Sequence, residues 1–375
     1  MFSIHLPSVT PTGRWKERGR MRPKGEKTVK PGRICARDSL VARRRSEVVG
    51  LVDLDGDDME VTVTRSLGLV LLLSTWVLAV VSKAPILHGQ ASQTVKYPTM
   101  LDMTFPEFEA AVKKTDIVLL PTGAIEEHNA HLPLGTDAVN ATAQVVQVQQ
   151  YLRNSGFETI VGPPLNIGIT NEAGDWVRNG TYAYPGSLTV SKSTFVALYL
   201  DVLRSLHDNG LRRAFLYLGH LGTRHVEAVV DVVEQANRSI QGMTVYATID
   251  SEMLERMKLA PGRHILSVEK GRNFEMLAQL LGQGTELPRT THADGAETSW
   301  TLYFHPEIVR PGYQAFPQTP SSVFLDVLNS GERSKNPTGS GGFPFDKASA
   351  AAGKQIVDYK TGRIGDTILQ VLRAK

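Results

Sequence analysis

The chain is expected to fold as an α/β domain, a three-layer α-β-α sandwich around a mostly parallel central sheet. Three observations carry that expectation. Short apolar runs alternate with long helical stretches from residue 104 onward. The run Ile117-Val118-Leu119-Leu120 is apolar on consecutive residues, as a strand covered on both faces requires. The chemically loaded segments, Pro121–Asp137 and Gly219-His220, directly follow predicted strands, where ligands of parallel sheets are bound.

Taken in order, Thr104–Lys113 opens with a Thr cap and has Pro and Glu in its first turn, so it reads as a helix. A strand covers 116–121. Asp137–Asn154 carries Val139, Ala143, Val146, Val148, Tyr151 and Leu152 at helical spacing and stops at Gly156. Thr159–Leu165 reads as a short strand, and 166–190 as a long polar loop in which Trp176 and Tyr182 line a substrate pocket or pack as a lid. Ser191–Asn209 is a helix with Phe195, Leu198, Tyr199, Val202, Leu203 and Leu206 on one face. Arg213–Leu218 is a strand, His225–Ile240 a helix with Val226, Val229, Val230, Val233 and Ala236 inward, and Met243–Ile249 a further strand.

The N-terminal quarter divides differently. Residues 1–58 hold 13 Lys/Arg against 8 Asp/Glu, which leaves 28 against 30 in 59–375. The overall charge of +3 therefore comes from this arm, and the remainder has no basic surplus to recommend a nucleic-acid partner. The arm lacks periodicity and reads as a disordered basic extension or as sequence ahead of a misassigned start, with Met59 the start. Residues 59–91 resemble an export signal: Arg65, the apolar core Leu67–Val81, then Gly89 and Ala91 in small-x-small spacing. That core is shorter than the roughly 20 residues a membrane span needs, so no stable span is expected after processing. An uncleaved anchor is the alternative. The protein is thus expected to be periplasmic or secreted, with 92–375 as one catalytic domain of 284 residues. The only cysteine, Cys35, lies ahead of the signal, so any metal site downstream must use nitrogen and oxygen ligands.

Pro121–Asp137 (PTGAIEEHNAHLPLGTD) supplies such ligands. Glu126 and His128 stand two apart, as same-side positions of an extended chain do, and the following turn residues let Asp137 swing back beside them. Two carboxylates and an imidazole suit a divalent transition metal such as zinc or manganese. The run Gly-x-x-Glu-x-His-x-x-His-Leu-Pro-Leu-x-x-Asp resembles the signature of the creatininase (creatinine amidohydrolase) family. The resemblance implies that Glu126, His128 and Asp137 are metal ligands and that Asp137 bridges two ions.

Two further motifs follow in the same order as in that family. Gly219-His220-Leu221-Gly222 is similar to its Asn-Gly-His-Gly-Gly-Asn, which makes His220 the fourth implied ligand. Leu218 and Thr223 replace the two asparagines, and Gly222 stands where creatininase itself has a glutamate for the second metal. His292–Ser299 resembles His-Ala-Gly-Glu-x-Glu-Thr-Ser, with Asp294-Gly295 in place of Gly-Glu. It implies Glu297 as the remaining carboxylate and His292 as the proton-transfer residue. Helix capping is the alternative role for Glu297. Glu127 and His131 read as residues that orient a ligand by hydrogen bonding, or, for His131, as a core residue. The tail 341–372 resembles the family's closing segment, so the likeness spans about residues 97–375.

These motifs imply a creatininase-like fold and one or two divalent ions per subunit, zinc first, with manganese or iron as alternatives. The implied reaction is hydrolysis of a C–N bond in a small cyclic amide, formamide or related amide. A peptide- or lactone-cleaving relative and a non-catalytic metal-dependent binder are the competing readings. The implied partners are a small-molecule amide and further copies of the chain, six by resemblance.

Overall fold

The computed structural model describes residues 99–170, 177–178, 181–182, 184–282, 291–318 and 337–374. The basic arm, the segment 59–91 expected to be an export signal, and Trp176 lie outside the described residues. Tyr182 is described in its backbone alone.

In chain order the elements are α1 (Phe105–Val112), β1 (Ile117–Thr122), α2 (Thr136–Asn154), β2 (Ile160–Val161), the two-residue strands β3 (Val177–Arg178) and β4 (Thr181–Tyr182), α3 (Lys192–Asp208) and β5 (Arg213–Leu218). Then come α4 (Thr223–Ser239), β6 (Thr244–Asp250), α5 (Ser251–Met257), β7 (Ile265–Val268), α6 (Phe274–Leu281), α7 (Gly295–Phe304) and α8 (Ala350–Arg373). The expected caps form. Thr104 and Glu107 make a reciprocal capping box on α1, and the Ser191 side chain accepts the Thr194 N–H at the start of α3.

Five strands build one parallel sheet in the order β2-β1-β5-β6-β7. Its strand residues alternate strictly between two cores. Val118, Leu120, Ala214, Leu216, Val245 and Ala247 face α3 and α4. Ile117, Leu119, Phe215 and Tyr217 face α2, α7 and α8. This is the predicted three-layer sandwich, and the alternation explains why strand sequences read as uninterrupted apolar runs. β3 and β4 pair only with each other, antiparallel, within the long loop. From β1 the chain winds toward β2, and from β5 it winds the other way toward β6. The crevice at the carboxyl ends of β1 and β5 is therefore the topological switch point.

Four details differ from the sequence expectation. β7 was not anticipated, and the strand expected over Thr159–Leu165 pairs only at Ile160–Val161, with Leu165 making a bridge to Thr122. On α2 the fully buried face is polar in places. Asn140, Gln144 and Gln149 are buried and donate to Thr301 Oγ1, Thr361 Oγ1 and the Thr159 carbonyl, whereas Val139, Ala143 and Val146 are half-buried. Helices α7 and α8 cover α2 and bring threonine partners that its own sequence cannot announce. Leu198, placed inward by its spacing, is 41% exposed.

That contrast is measurable. Leu120→Ala, at a fully buried position, should cost about 2–5 kcal/mol in denaturant unfolding, whereas Leu198→Ala should stay within about 0.5 kcal/mol. Among the described residues no helix is long and apolar enough to cross a membrane.

Candidate active site

Two glycines admit the start of α2 into the crevice. A Cβ on Gly123 would lie 2.9 Å from the backbone of Ala138, and one on Gly219 would lie 2.7 Å from the Asp137 carbonyl. Backbones can approach this closely only without side chains. Asp137, in the first turn of α2, is thereby wedged between the ends of β1 and β5.

Glu126 and His128 reach the same point from the loop after β1. The strand itself ends at Thr122, so their convergence does not come from strand alternation. The loop is pinned instead by backbone hydrogen bonds from Glu126 to Leu134 (2.9 Å) and from Leu188 to Ile125 (2.9 Å). Ser187, in the Pro185-Gly186-Ser187 turn, accepts the Glu127 N–H at 2.9 Å.

The distances define one cluster. His128 Nε2 lies 3.2 Å from Asp137 Oδ1 and 3.8 Å from Glu297 Oε2. His220 Nδ1 lies 3.1 Å from Glu126 Oε2 and 3.3 Å from Asp137 Oδ2. His292 Nδ1 stands 3.9 Å from Glu126 Oε2, with its ring 4.6 Å from that of His128. Potential ligand atoms fall into three groups, each spanning at most 4.8 Å: Glu126, Asp137 and His220; His128, Asp137 and Glu297; Glu126, His128 and His292. The five expected ligands and His292, the expected proton-transfer residue, are thus brought together, and Asp137 is shared by the first two groups.

The three imidazoles follow one rule. His128 Nδ1–H donates to the Glu126 carbonyl at 3.0 Å, His220 Nε2–H to the Ile169 carbonyl at 3.1 Å, and His292 Nε2–H to the Glu127 carbonyl at 2.7 Å. A carbonyl only accepts, so these partners fix each tautomer and leave the other ring nitrogen facing the carboxylates. Glu126 Oε2 and Asp137 Oδ2 are buried and receive no aligned hydrogen bond. Buried carboxylate oxygens without donors, opposite imidazole lone pairs, are what a divalent cation would satisfy. The residues fit a metal.

Without a cation the groups neutralise one another. Burial alone would raise Glu126 and Asp137, but the adjoining histidines hold both below the usual carboxylate range. Burial likewise opposes charge on the histidines, yet the carboxylates prevail, lifting His128 to about 9 and His220 and His292 well above normal. Two outcomes are expected. Metal uptake at pH 7 should release protons and tighten as pH rises, seen as buffer-dependent heats in calorimetry. A raised histidine stabilises fully below its unfolded value of about 6.5 and ceases to do so above its folded value. The metal-free protein should therefore lose melting temperature between about pH 6.5 and 9.

Glu297 sits in the first turn of α7, but the cap is Asp294, whose carboxylate accepts the N–H groups of Ala296 and Glu297 and also that of Phe343. Glu297 Oε2 accepts the Ala293 N–H at 2.6 Å while facing His128, so it serves both backbone and cluster. Ala293 takes φ +47, a strained value that turns His292 inward and frees Asp294 to cap.

Glu127 is buried, and its Oε1 lies 3.3 Å from His292 Nε2, behind the imidazole. Burial raises its carboxyl. His131 is not in the cluster. It packs among Tyr313, Phe316 and Phe345, hydrogen-bonded to Thr298 Oγ1 at 2.8 Å, and burial lowers it to about 4, keeping it neutral. The residues flanking His131 in no way foretell that aromatic shell, which comes from residues about 180–215 positions away.

Sequence reasoning also missed His225. It is fully buried, accepts the Ile169 N–H on Nδ1 at 3.3 Å, and packs edge-on against His220. The Ile169 backbone is thereby held on both sides, by His220 through its carbonyl oxygen and by His225 through its N–H. The spacing His220-x-x-x-x-His225 was the available signal.

The family profile described as "Creatininase: Creatinine amidohydrolase" matches residues 101–368. Creatinine amidohydrolase of Pseudomonas putida is 30% identical over 252 residues, covering 62% of this chain and 88% of that protein. The 3-dehydro-scyllo-inosose hydrolase of Thermotoga maritima is 22% identical over 214 residues, 55% of this chain and 56% of its own. A solved structure described as "Creatininase Mn" has the same fold, with a TM-score of 0.51 at 21% identity over 74% of this chain and 99% of its own.

Proposed function

The chain belongs to the creatininase family of metal-dependent amidohydrolases, and from that premise we propose that it hydrolyses the C–N bond of a small cyclic amide, formamide or related amide. The observation that carries this reading is the common arrangement of His128, His220 and His292, each anchored through one ring nitrogen and turned to the carboxylates with the other.

In this reading Glu126, Asp137 and His220 hold one divalent ion and His128, Asp137 and Glu297 a second, with Asp137 common to both. Gly222 immediately precedes α4 and offers no carboxylate, so each ion would keep three protein donors and an open position, as catalytic sites do. Nitrogen and oxygen donors suit zinc, with manganese or iron as alternatives. A bound ion of this kind lowers the pKa of water from near 16 to roughly 7 and polarises a carbonyl. His292 supplies the proton for the leaving nitrogen. Its Nε2–H is committed to the Glu127 carbonyl, so the exchangeable proton is carried on Nδ1, the atom that faces Glu126. The Glu127 carboxylate steadies the imidazolium from behind. Export directed by residues 59–91 and assembly into a homo-oligomer complete the proposal.

The test is a chelator-stripped protein reconstituted with zinc or manganese and offered cyclic amides and formamides. Metal-restored hydrolysis of at least one, with equal amounts of new acid and amine, is expected. Inertness toward the whole set with either ion would oppose the reading.

A further inference from the structure

We infer that His225 is a positioning residue for the metal ligand His220: by accepting the Ile169 N–H, it holds in place the carbonyl on which His220 is anchored. This deepens the metal-hydrolase reading and rests on His220 serving as a ligand there.

Two peptide planes flank the Ile169 Cα, and each is held at both of its polar atoms. In the first, the Gly168 carbonyl accepts the Val190 N–H at 3.3 Å and the Ile169 N–H donates to His225 Nδ1 at 3.3 Å. In the second, the Ile169 carbonyl accepts His220 Nε2–H at 3.1 Å and the Thr170 N–H donates to Thr189 Oγ1 at 3.2 Å. Rigid planes joined at one Cα turn only about its φ and ψ, so fixing the first plane helps to fix the second. With its anchor steady, His220 keeps Nδ1 toward Glu126 and Asp137, at 3.1 and 3.3 Å. The ring of His225 is seated flush against this segment: a Cβ on Gly168 would lie 2.9 Å from its Nδ1.

The chemistry of the side chain points the same way. His225 lies in the first turn of α4, fully buried, with its ring centre 5.0 Å from those of His220 and Phe195. Because Nδ1 accepts, the ring proton sits on Nε2, which is buried and, among the described residues, has no hydrogen-bond partner. A buried donor left unpaired costs stability, and an apolar side chain of similar size would fill the space without that cost. What an apolar side chain could not supply is the acceptor for the Ile169 N–H. That single hydrogen bond goes to the backbone on which His220 leans, the relation by which outer groups orient metal-binding imidazoles.

The test measures zinc dissociation constants on the full-chain protein, by competition with a chromophoric chelator, beside metal-free melting temperatures. Asn and Leu share one branched shape, but only Asn can put an acceptor where His225 has Nδ1. His225→Leu should weaken zinc binding by about 10- to 100-fold, the usual effect of losing a group that orients a ligand. Its metal-free melting temperature should stay within about 4 °C of the wild type, because the unpaired Ile169 N–H replaces the unpaired Nε2–H. His225→Asn should bind zinc within about threefold of the wild type, its acceptor restoring the hold. An unchanged zinc constant in folded His225→Leu overturns the inference, and so do equal losses in the two variants, which would mark packing alone. Should His225→Leu fail to fold, the imidazole nitrogen NMR spectrum of the zinc-loaded wild type decides: a proton on His225 Nε2 with Nδ1 bare supports the inference, and a proton on Nδ1 overturns it. No zinc uptake by the wild type overturns this inference and the metal reading together. Zinc binding with the expected contrast between the variants, but hydrolysis of no amide, supports the role of His225 and counts against the hydrolase reading alone.

Discussion

Asp137→Ala should lose bound metal and, with it, hydrolysis. Both oxygens of this carboxylate are engaged, Oδ1 opposite His128 and Oδ2 opposite His220, and it is common to two of the groups able to hold an ion. Its removal cuts both groups from three donors to two, below what a tetrahedral catalytic site retains. Elemental analysis after dialysis should find little zinc or manganese, and kcat/KM should fall by roughly a thousandfold or more, the scale of several kcal/mol of metal assistance. The α2 helix should survive, because the glycine contacts and the apolar face of Val145, Val148 and Leu152 that seat it are untouched. Circular dichroism therefore separates loss of metal from loss of fold. Full metal occupancy in a folded Asp137→Ala protein would contradict a shared ligand.

His292→Ala should do the opposite, keeping metal while losing turnover. The imidazole is anchored on the Glu127 carbonyl, and its inward nitrogen is 3.9 Å from Glu126, the longest approach among the three histidines. Removal of a positioned general acid costs about 10² to 10⁴ in kcat, with KM changed little. If the variant instead sheds metal, His292 belongs with Glu126 and His128 as a ligand group, an arrangement their proximity allows. The pair of variants thus separates holding the ion from moving the proton.

What the sequence disclosed about this site, and what it withheld, follows from chain distance. Glu126, His128 and Asp137 were legible because a single stretch carries them, and His220 and Glu297 because each follows or opens a predictable element. The α/β sandwich was legible for a related reason: buried parallel strands announce themselves as apolar runs such as Ile117–Leu120. The sequence misjudged the cause of the Glu126–His128 convergence, since β1 ends at Thr122 and loop hydrogen bonds do the aiming. It could not assign His131, whose aromatic surroundings come from Tyr313, Phe316 and Phe345. The His225 grip on Ile169 and the threonine partners of α2 both join residues far apart in sequence. Periodicity carries no information about such pairs.

Anomalous diffraction from crystals of the zinc- or manganese-loaded protein tests the central claim most directly. The account predicts two peaks about 3.5–4 Å apart, one beside Glu126 and His220, the other beside His128 and Glu297, with an Asp137 oxygen on each. Metal found elsewhere, or peaks with Asp137 outside ligand distance, would contradict it.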